Sequence, residues 1–213
     1  MEVNVGVETL APSDLDEDDL LECSSLWSES FPKSDRTKVT MAAERARESA
    51  GLQGELWHIV WEAKSEGAAA GEGARRRAVA LARTFHRTIE CGPPDCRTQR
   101  LVRALAHVCA APDRRGRGLG RMVVQAAFSS GNREDTAVDA PCPLLFQSNE
   151  SAFYEKMGAA VMPRDRYPVI NSMGTGSDAK RRSGFWDDFT MVFPVEAANS
   201  WPDGSIDLLG PGF

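Results

Sequence analysis

Pro112–Arg121 reads PDRRGRGLGR, ten residues that hold four arginines and three glycines. The whole chain of 213 residues is acidic by contrast, with 31 Asp and Glu against 25 Lys and Arg and a formal charge of −6. Positive charge gathered around glycines in an acidic protein marks a place where an anion comes close to the backbone. Upstream, RLVRALAHVCAAP reads as a strand that ends at Pro112. Downstream, Leu119, Met122, Val123, Ala126 and Ala127 recur at helical spacing. A strand, a glycine-dense turn and a helix N-terminus in that order aim several backbone N–H groups at one point. Glycines at 116, 118 and 120 let an anion approach the main chain without striking a Cβ. The arginines add forked donors suited to phosphate oxygens.

Other anion sites are set aside by what the stretch lacks. A Walker loop needs GxxxxGK followed by Ser or Thr, and no lysine is present. The dinucleotide fingerprint GxGxxG belongs in an early βαβ unit, whereas GxGxG stands late here. An RG-rich RNA segment is repeated and disordered; this one is single, between a strand and an amphipathic helix. The net charge of −6 also argues against general nucleic-acid binding, which needs a basic face.

Length and a hydrophobic content of 42% allow one domain over 1–213 with a substantial core. No apolar run approaches the roughly 18 residues of a membrane span. The acidic start MEVNVGVETLAPSDLDEDDLLE lacks the regions of a signal peptide. The expectation is a soluble, cytoplasmic protein, monomer or homodimer, with no nucleic-acid or membrane partner. Five cysteines are scattered, and Cys91 and Cys96 in CGPPDC fit neither a zinc ribbon nor a CxxC redox motif. The three histidines form no HExxH, so no metal is expected and the cysteines read as thiols.

Periodicity places the remaining elements. VNVGVETL reads as a first strand, and SDLDEDDLLECSSLWSESF as an amphipathic helix capped by Ser13. DRTKVTMAAERARESAG reads as a second helix stopped by Gly51. ELWHIVWEAK is a strand, and AVALARTFHRTIEC pairs with RLVRALAHVCAAP through the turn GPPD. CPLLFQS is a buried strand, NESAFYEKMG a short helix stopped by Gly158, and AAVMPRDRYPV and FTMVFPV late strands. A mixed α/β domain fits this order.

Arg115, Gly118 and Gly120 satisfy the pattern (Q/R)xxGx(G/A) within HVCAAPDRRGRGLGRMVVQAAF, and SAFYEKMGA follows with the pattern FYxKxG. Together, in this order, the two segments resemble the acyl-CoA-binding motif and closing helix of the GCN5-related N-acetyltransferase (GNAT) superfamily. The resemblance implies an α/β (α+β) GNAT fold. Its single mixed, mostly antiparallel sheet would have about six to seven strands, splayed in the middle, with about four helices on both faces. The implied cofactor is acetyl-CoA. Its pyrophosphate would sit on the N–H groups of Arg115, Gly116, Arg117, Gly118, Leu119, Gly120 and Arg121. Its pantetheine would pair with Val108 and Ala110 on a bulged strand. Asn149 stands for a family Asn that contacts the cofactor, two residues nearer the tyrosine than usual.

Acyl transfer to an amine requires loss of an amine proton, a polarised thioester carbonyl and a stabilised leaving thiolate. Tyr154 matches the family tyrosine that points at the sulfur. With an ordinary pKa of about 10 against about 8.5 for a thiol, it is the candidate general acid, with Phe153 filling the packing role. Many relatives carry a Glu on the strand where this chain has Ala106. His107, beside it, alternates to the other face unless a bulge reorients it. It is the candidate base or water-holder, the alternative being a satisfied core histidine. Cys109 reads as a small buried thiol.

In SGFWDDF, Asp187 and Asp188 follow Phe185 and Trp186. Carboxylates beside aromatic faces suit a cationic amine; the alternative is a plain turn before a strand. In the superfamily this loop borders the acceptor cleft. The tail WPDGSIDLLGPGF is similar to tails of the branch holding aminoglycoside 2′-N-acetyltransferases and nodulation N-acyltransferases. Folded back, it would bring the carboxylate of Phe213 to the same cleft. The implied activity is acetyl-CoA-dependent N-acetyltransfer to a primary amine of a small molecule. The alternatives are a longer acyl chain, a hydroxyl acceptor, or acyl-CoA binding without turnover.

Overall fold

The computed structural model describes residues 6–31, 52–64, 76–134, 142–173, 180–183 and 187–210. The second helix expected at 35–51 lies outside them. By its contacts the chain divides into two compact units, Met1–Thr84 with His107–Ala127, and Phe85–Ala106 with Phe128–Phe213.

In the first unit, strand β1 (Val7–Leu10) pairs antiparallel with β2 (Leu56–Ala63), with Val7 opposite Val60. β2 pairs in turn with the first half of β3 (Arg76–Gly92), Trp57 standing opposite Arg83. The stretch Ala78–Phe85 of β3 is buried without a break, so alternation is replaced by a run covered on both faces. Helix α1 (Glu17–Ser30) starts at Asp16, whose carboxylate accepts from the Asp19 N–H at 2.8 Å. The cap is therefore Asp16 and not Ser13, because Pro12–Asp14 forms a separate 3-10 turn ahead of the helix. Acidic Glu17, Asp18 and Asp19 in the first turn suit the positive end of the helix dipole. The end of β4 (Thr98–Ala110) and the start of α2 (Leu119–Glu134) complete this unit, with Val123, Val124 and Ala127 of α2 buried.

The second unit holds the rest of β3 and β4. It adds β5 (Leu144–Ser148), α3 (Ser151–Glu155), β6 (Ala160–Met162), β7 (Val169–Met173), β8 (Lys180–Ser183), β9 (Phe189–Phe193), α4 (Val195–Asn199) and β10 (Ser205–Asp207). Their order is β6-β9-β5-β4-β3-β10-β7-β8. β5 runs parallel to β4, and β10 parallel to β7, within an otherwise antiparallel arrangement. The register of β5 with β4 covers only Leu144 and Leu145, while all five residues of β5 pair with β9. A contact that short is what a sheet opening between β4 and β5 has.

The described residues form ten strands where about six to seven were expected. AAVMPRDRYPV splits into β6 and β7 because Tyr167 N–H bonds back to the Pro163 carbonyl at 2.8 Å, closing a turn. β8 and β10 are four- and three-residue strands in polar or mixed sequence, too short to display a period of two. The tail is drawn in by Trp201, Ile206 and Leu208, all buried, and Leu208 N–H donates to Ile170 O at 2.9 Å. Among the described residues no helix is long and apolar enough to cross a membrane.

Candidate functional site

The arginine–glycine stretch follows a break in β4. His107 has a φ of +54°, a left-handed backbone inside a strand, which interrupts the alternation as a bulge does. After Ala110 the chain is tied down by Ala111 N–H to Val79 O at 2.9 Å and turns through Pro112–Arg114. Gly116 and Gly118 then both take a φ of +78°, and α2 begins at Leu119. A Cβ added at Gly116, Gly118 or Gly120 would meet nothing within 4 Å, so the space above these glycines is open. The first N–H groups of α2 have no helical acceptor, which makes the turn a cradle of donors for an anion. Leu119 itself is buried under the turn.

The four arginines divide into two roles. Arg114 donates from Nε to both oxygens of Glu62 on β2, at 2.9 and 3.0 Å, and from Nη1 to Asp113 at 2.7 Å. Arg77 on β3 takes Asp113 at 2.9 and 3.0 Å and lies 3.7 Å from Glu29 on α1. The hydrogen bond from Arg77 holds the Asp113 carboxyl below its usual range. Asp113 and Arg114 thus pin the turn to β2 and β3, and Arg77 links it on to α1. Arg115, Arg117 and Arg121 are exposed and make no ion pair among the described residues. Val108 and Ala110 are half-buried, and the Ala110 carbonyl accepts a long bond from Ser30 Oγ at 3.5 Å.

Behind the bulge lies a buried polar chain. His107 Nδ1 is 2.9 Å from Nη1 of Arg83, and its ring meets Trp27 edge-on at 5.4 Å. Arg83, only 2% exposed, is paired with Glu55 at 2.5 Å. Neither Arg83 nor Glu55 stands out in any motif. The available signal is the arginine inside the apolar run AVALARTF, which demands a buried counter-charge.

In the second unit Tyr154 is 7% exposed, stacked at a tilt on Phe146 with centroids 4.8 Å apart, and its hydroxyl hydrogen-bonds Ser148. Burial pushes its pKa up to about 12, the Ser148 bond pulling the other way. Phe153, 36% exposed, packs edge-on against Tyr154, so the buried aromatic of this helix is the tyrosine and not its neighbour. Asn149 donates to Asp187 Oδ1 at 2.8 Å and accepts from the Asp188 N–H at 2.8 Å. Both halves of its amide thus hold the segment ahead of β9. Arg164 donates to the Asp187 carbonyl at 2.5 Å. Burial raises the Asp187 carboxyl above its ordinary value, the Asn149 bond partly offsetting it, and Asp188 is exposed. Trp186 and Phe213 lie outside the described residues. The structure therefore joins Asn149 to the aspartate pair, a contact no motif suggested.

No family model matches the sequence, and no curated protein matches it. Solved structures do. A GNAT family N-acetyltransferase from Escherichia coli, in complex with CoA, aligns with a TM-score of 0.56 at 13% identity, over 98% of this chain and 91% of its own. The chain has the GNAT fold. An acyl-CoA N-acyltransferase from Pseudomonas aeruginosa aligns with a TM-score of 0.49 at 16% identity, over 89% of this chain and 99% of its own. At 13% identity the Escherichia coli structure carries the GNAT fold alone and leaves the reaction to this chain's own residues.

Proposed function

We propose that the protein is an acetyl-CoA-dependent N-acetyltransferase acting on a primary amine of a small molecule. The observation that carries this reading is the glycine turn, with φ of +78° at Gly116 and Gly118 and open space where their Cβ atoms would stand. An adenine-nucleotide pyrophosphate matches a cradle of backbone donors flanked by Arg115, Arg117 and Arg121. Val108 and Ala110, beyond the bulge, supply main-chain groups for the pantetheine amides.

In the transfer, the amine lone pair attacks the thioester carbonyl carbon, the C–S bond breaks to leave a thiolate, and the amine gives up one proton to solvent. Tyr154 supports the leaving sulfur. Raised to about 12, its phenol is a weaker acid than a thiol of about 8.5. The proton therefore stays on the tyrosine, which acts as a hydrogen-bond donor to the thiolate and not as the general acid that its motif implied. Tyr154→Phe is expected to lower kcat about 100-fold with CoA affinity unchanged. Because the phenol stays protonated up to about pH 12, the deficit should be flat between about pH 7 and about pH 10. A deficit that fades across that window would mean that the phenol loses its proton there and would overturn this donor role.

Asp187 and Asp188 are the acceptor-side candidates, a carboxylate pair that an ammonium would hold in its charged form. Changing both to Asn keeps an acceptor for Asn149 while removing the charge. The double variant is expected to raise KM for a cationic amine about tenfold without altering CoA affinity. Unchanged KM for every amine turned over would place the acceptor elsewhere. Ala106, where many relatives carry a Glu, favours one second reading, an acyl-CoA-binding protein without turnover. Thiol release from acetyl-CoA across a panel of amines, beside calorimetric CoA binding, separates the two.

A further inference from the structure

Among the described residues the three nitrogens of Arg83 meet two hydrogen-bonding partners. Nε and Nη2 both meet Glu55 Oε1, at 2.7 and 2.5 Å, and Trp57 Nε1 donates to the same oxygen at 2.7 Å. Nη1 reaches His107 Nδ1 at 2.9 Å. A guanidinium only donates, so Nδ1 accepts in this contact, and the neutral ring then carries its proton on Nε2. For the ring to take a second proton, the Arg83 bond must break and an imidazolium must face a buried cation. The left-handed backbone at His107 is what turns the ring toward this arginine and Trp27. Glu55 Oε2 is buried with no hydrogen-bond partner among the described residues, although Oε1 takes three donors. Such an unmet acceptor costs stability, so stability alone does not account for this arrangement.

We propose that Arg83, held in place by Glu55, is a positioning residue that locks His107 in its Nε2–H tautomer. His107 then enters the acyl transfer as a hydrogen-bond donor and not as the general base. The tautomer lock stands on the geometry alone; the donor role rests on the acyltransferase reading.

Histidine ring ¹⁵N labelling of the full chain, with long-range ¹H–¹⁵N correlation spectra, reads the tautomer directly. The His107 signals are identified as those lost in His107→Gln. In the wild type Nδ1 is expected to be unprotonated and Nε2 protonated at mildly alkaline pH. In the double variant Glu55→Gln/Arg83→Met, which leaves no buried charge alone, the signals should move toward a mixture of tautomers. An Nδ1–H ring in the wild type, or an unmoved ratio in the double variant, overturns the lock. For the donor role, His107→Gln keeps an N–H but cannot take up a proton. Against an amine the wild type acetylates, His107→Ala should lose about tenfold or more. His107→Gln should recover most of that loss with the wild-type pH profile. A Gln variant as impaired as Ala, with the acidic limb of the profile gone, makes His107 the base. If the wild type acetylates no amine, the donor role falls with the acyltransferase reading, while the spectra still decide the part played by Arg83.

Discussion

Gly118→Asp is expected to weaken CoA binding about 100-fold or more in a chain that still folds, since a like charge set against the pyrophosphate costs several kcal/mol. Gly118 has a φ of +78°, and nothing lies within 4 Å of a Cβ built there. The aspartate therefore has room in the folded protein, and its carboxylate points into the space proposed for the phosphates. The left-handed backbone itself costs a non-glycine residue roughly 1–2 kcal/mol, a tolerable fraction of a domain's stability. Gly118→Ala carries the same strain and the same Cβ without the charge, so it should bind CoA far better than the aspartate variant. Calorimetric titration with CoA, beside circular dichroism and thermal melting, separates loss of binding from loss of fold. Equal CoA affinity in a folded aspartate variant would falsify the assignment of this turn.

The second large effect is on stability. Arg83→Met should cost about 3–5 kcal/mol, because it leaves the Glu55 carboxylate buried without its cation. Glu55 is 5% exposed, and Trp57 Nε1 would remain as its one donor of the three it now has. For a chain of this length the melting temperature should fall by roughly 6–20 °C. Adding Glu55→Gln removes the stranded charge and should restore more than half of that fall. Equal melting temperatures for the single and double variants would mean that the two side chains are not energetically coupled.

Local features were legible in the sequence because their physics is local. The cradle at 115–121 needs only glycine register, a preceding strand and a following helix, all within a few turns of chain. Gly158 as a helix stop was legible for the same reason, and it takes a φ of +92°. The hairpin of β3 and β4 followed from two strand-like segments joined by GPPD. The cap of α1 was misplaced by three residues because both Ser13 and Asp16 can cap, and only the turn at Pro12–Asp14 decides between them.

Partner choice across the sheet was not legible. Which acid neutralises Arg83 depends on β2 lying beside β3 with Trp57 opposite Arg83, which brings Glu55 to the same end of the strand. Asn149 resembles a cofactor ligand by position, yet its amide reaches Asp187 and Asp188 at the edge of β9 because β5 and β9 run antiparallel, with Ser148 opposite Phe189. Tyr154 could be named from its motif, but its burial against Phe146, and hence its pKa of about 12, depends on strands that the motif does not contain. The sequence by itself determined the turn, its charge and its place between a strand and a helix. Those depend on backbone geometry and residue type over short separations. Only the tertiary structure decided what faces Nδ1 of His107, since Arg83 lies 24 residues away in the chain and the contact is made at a left-handed residue in β4.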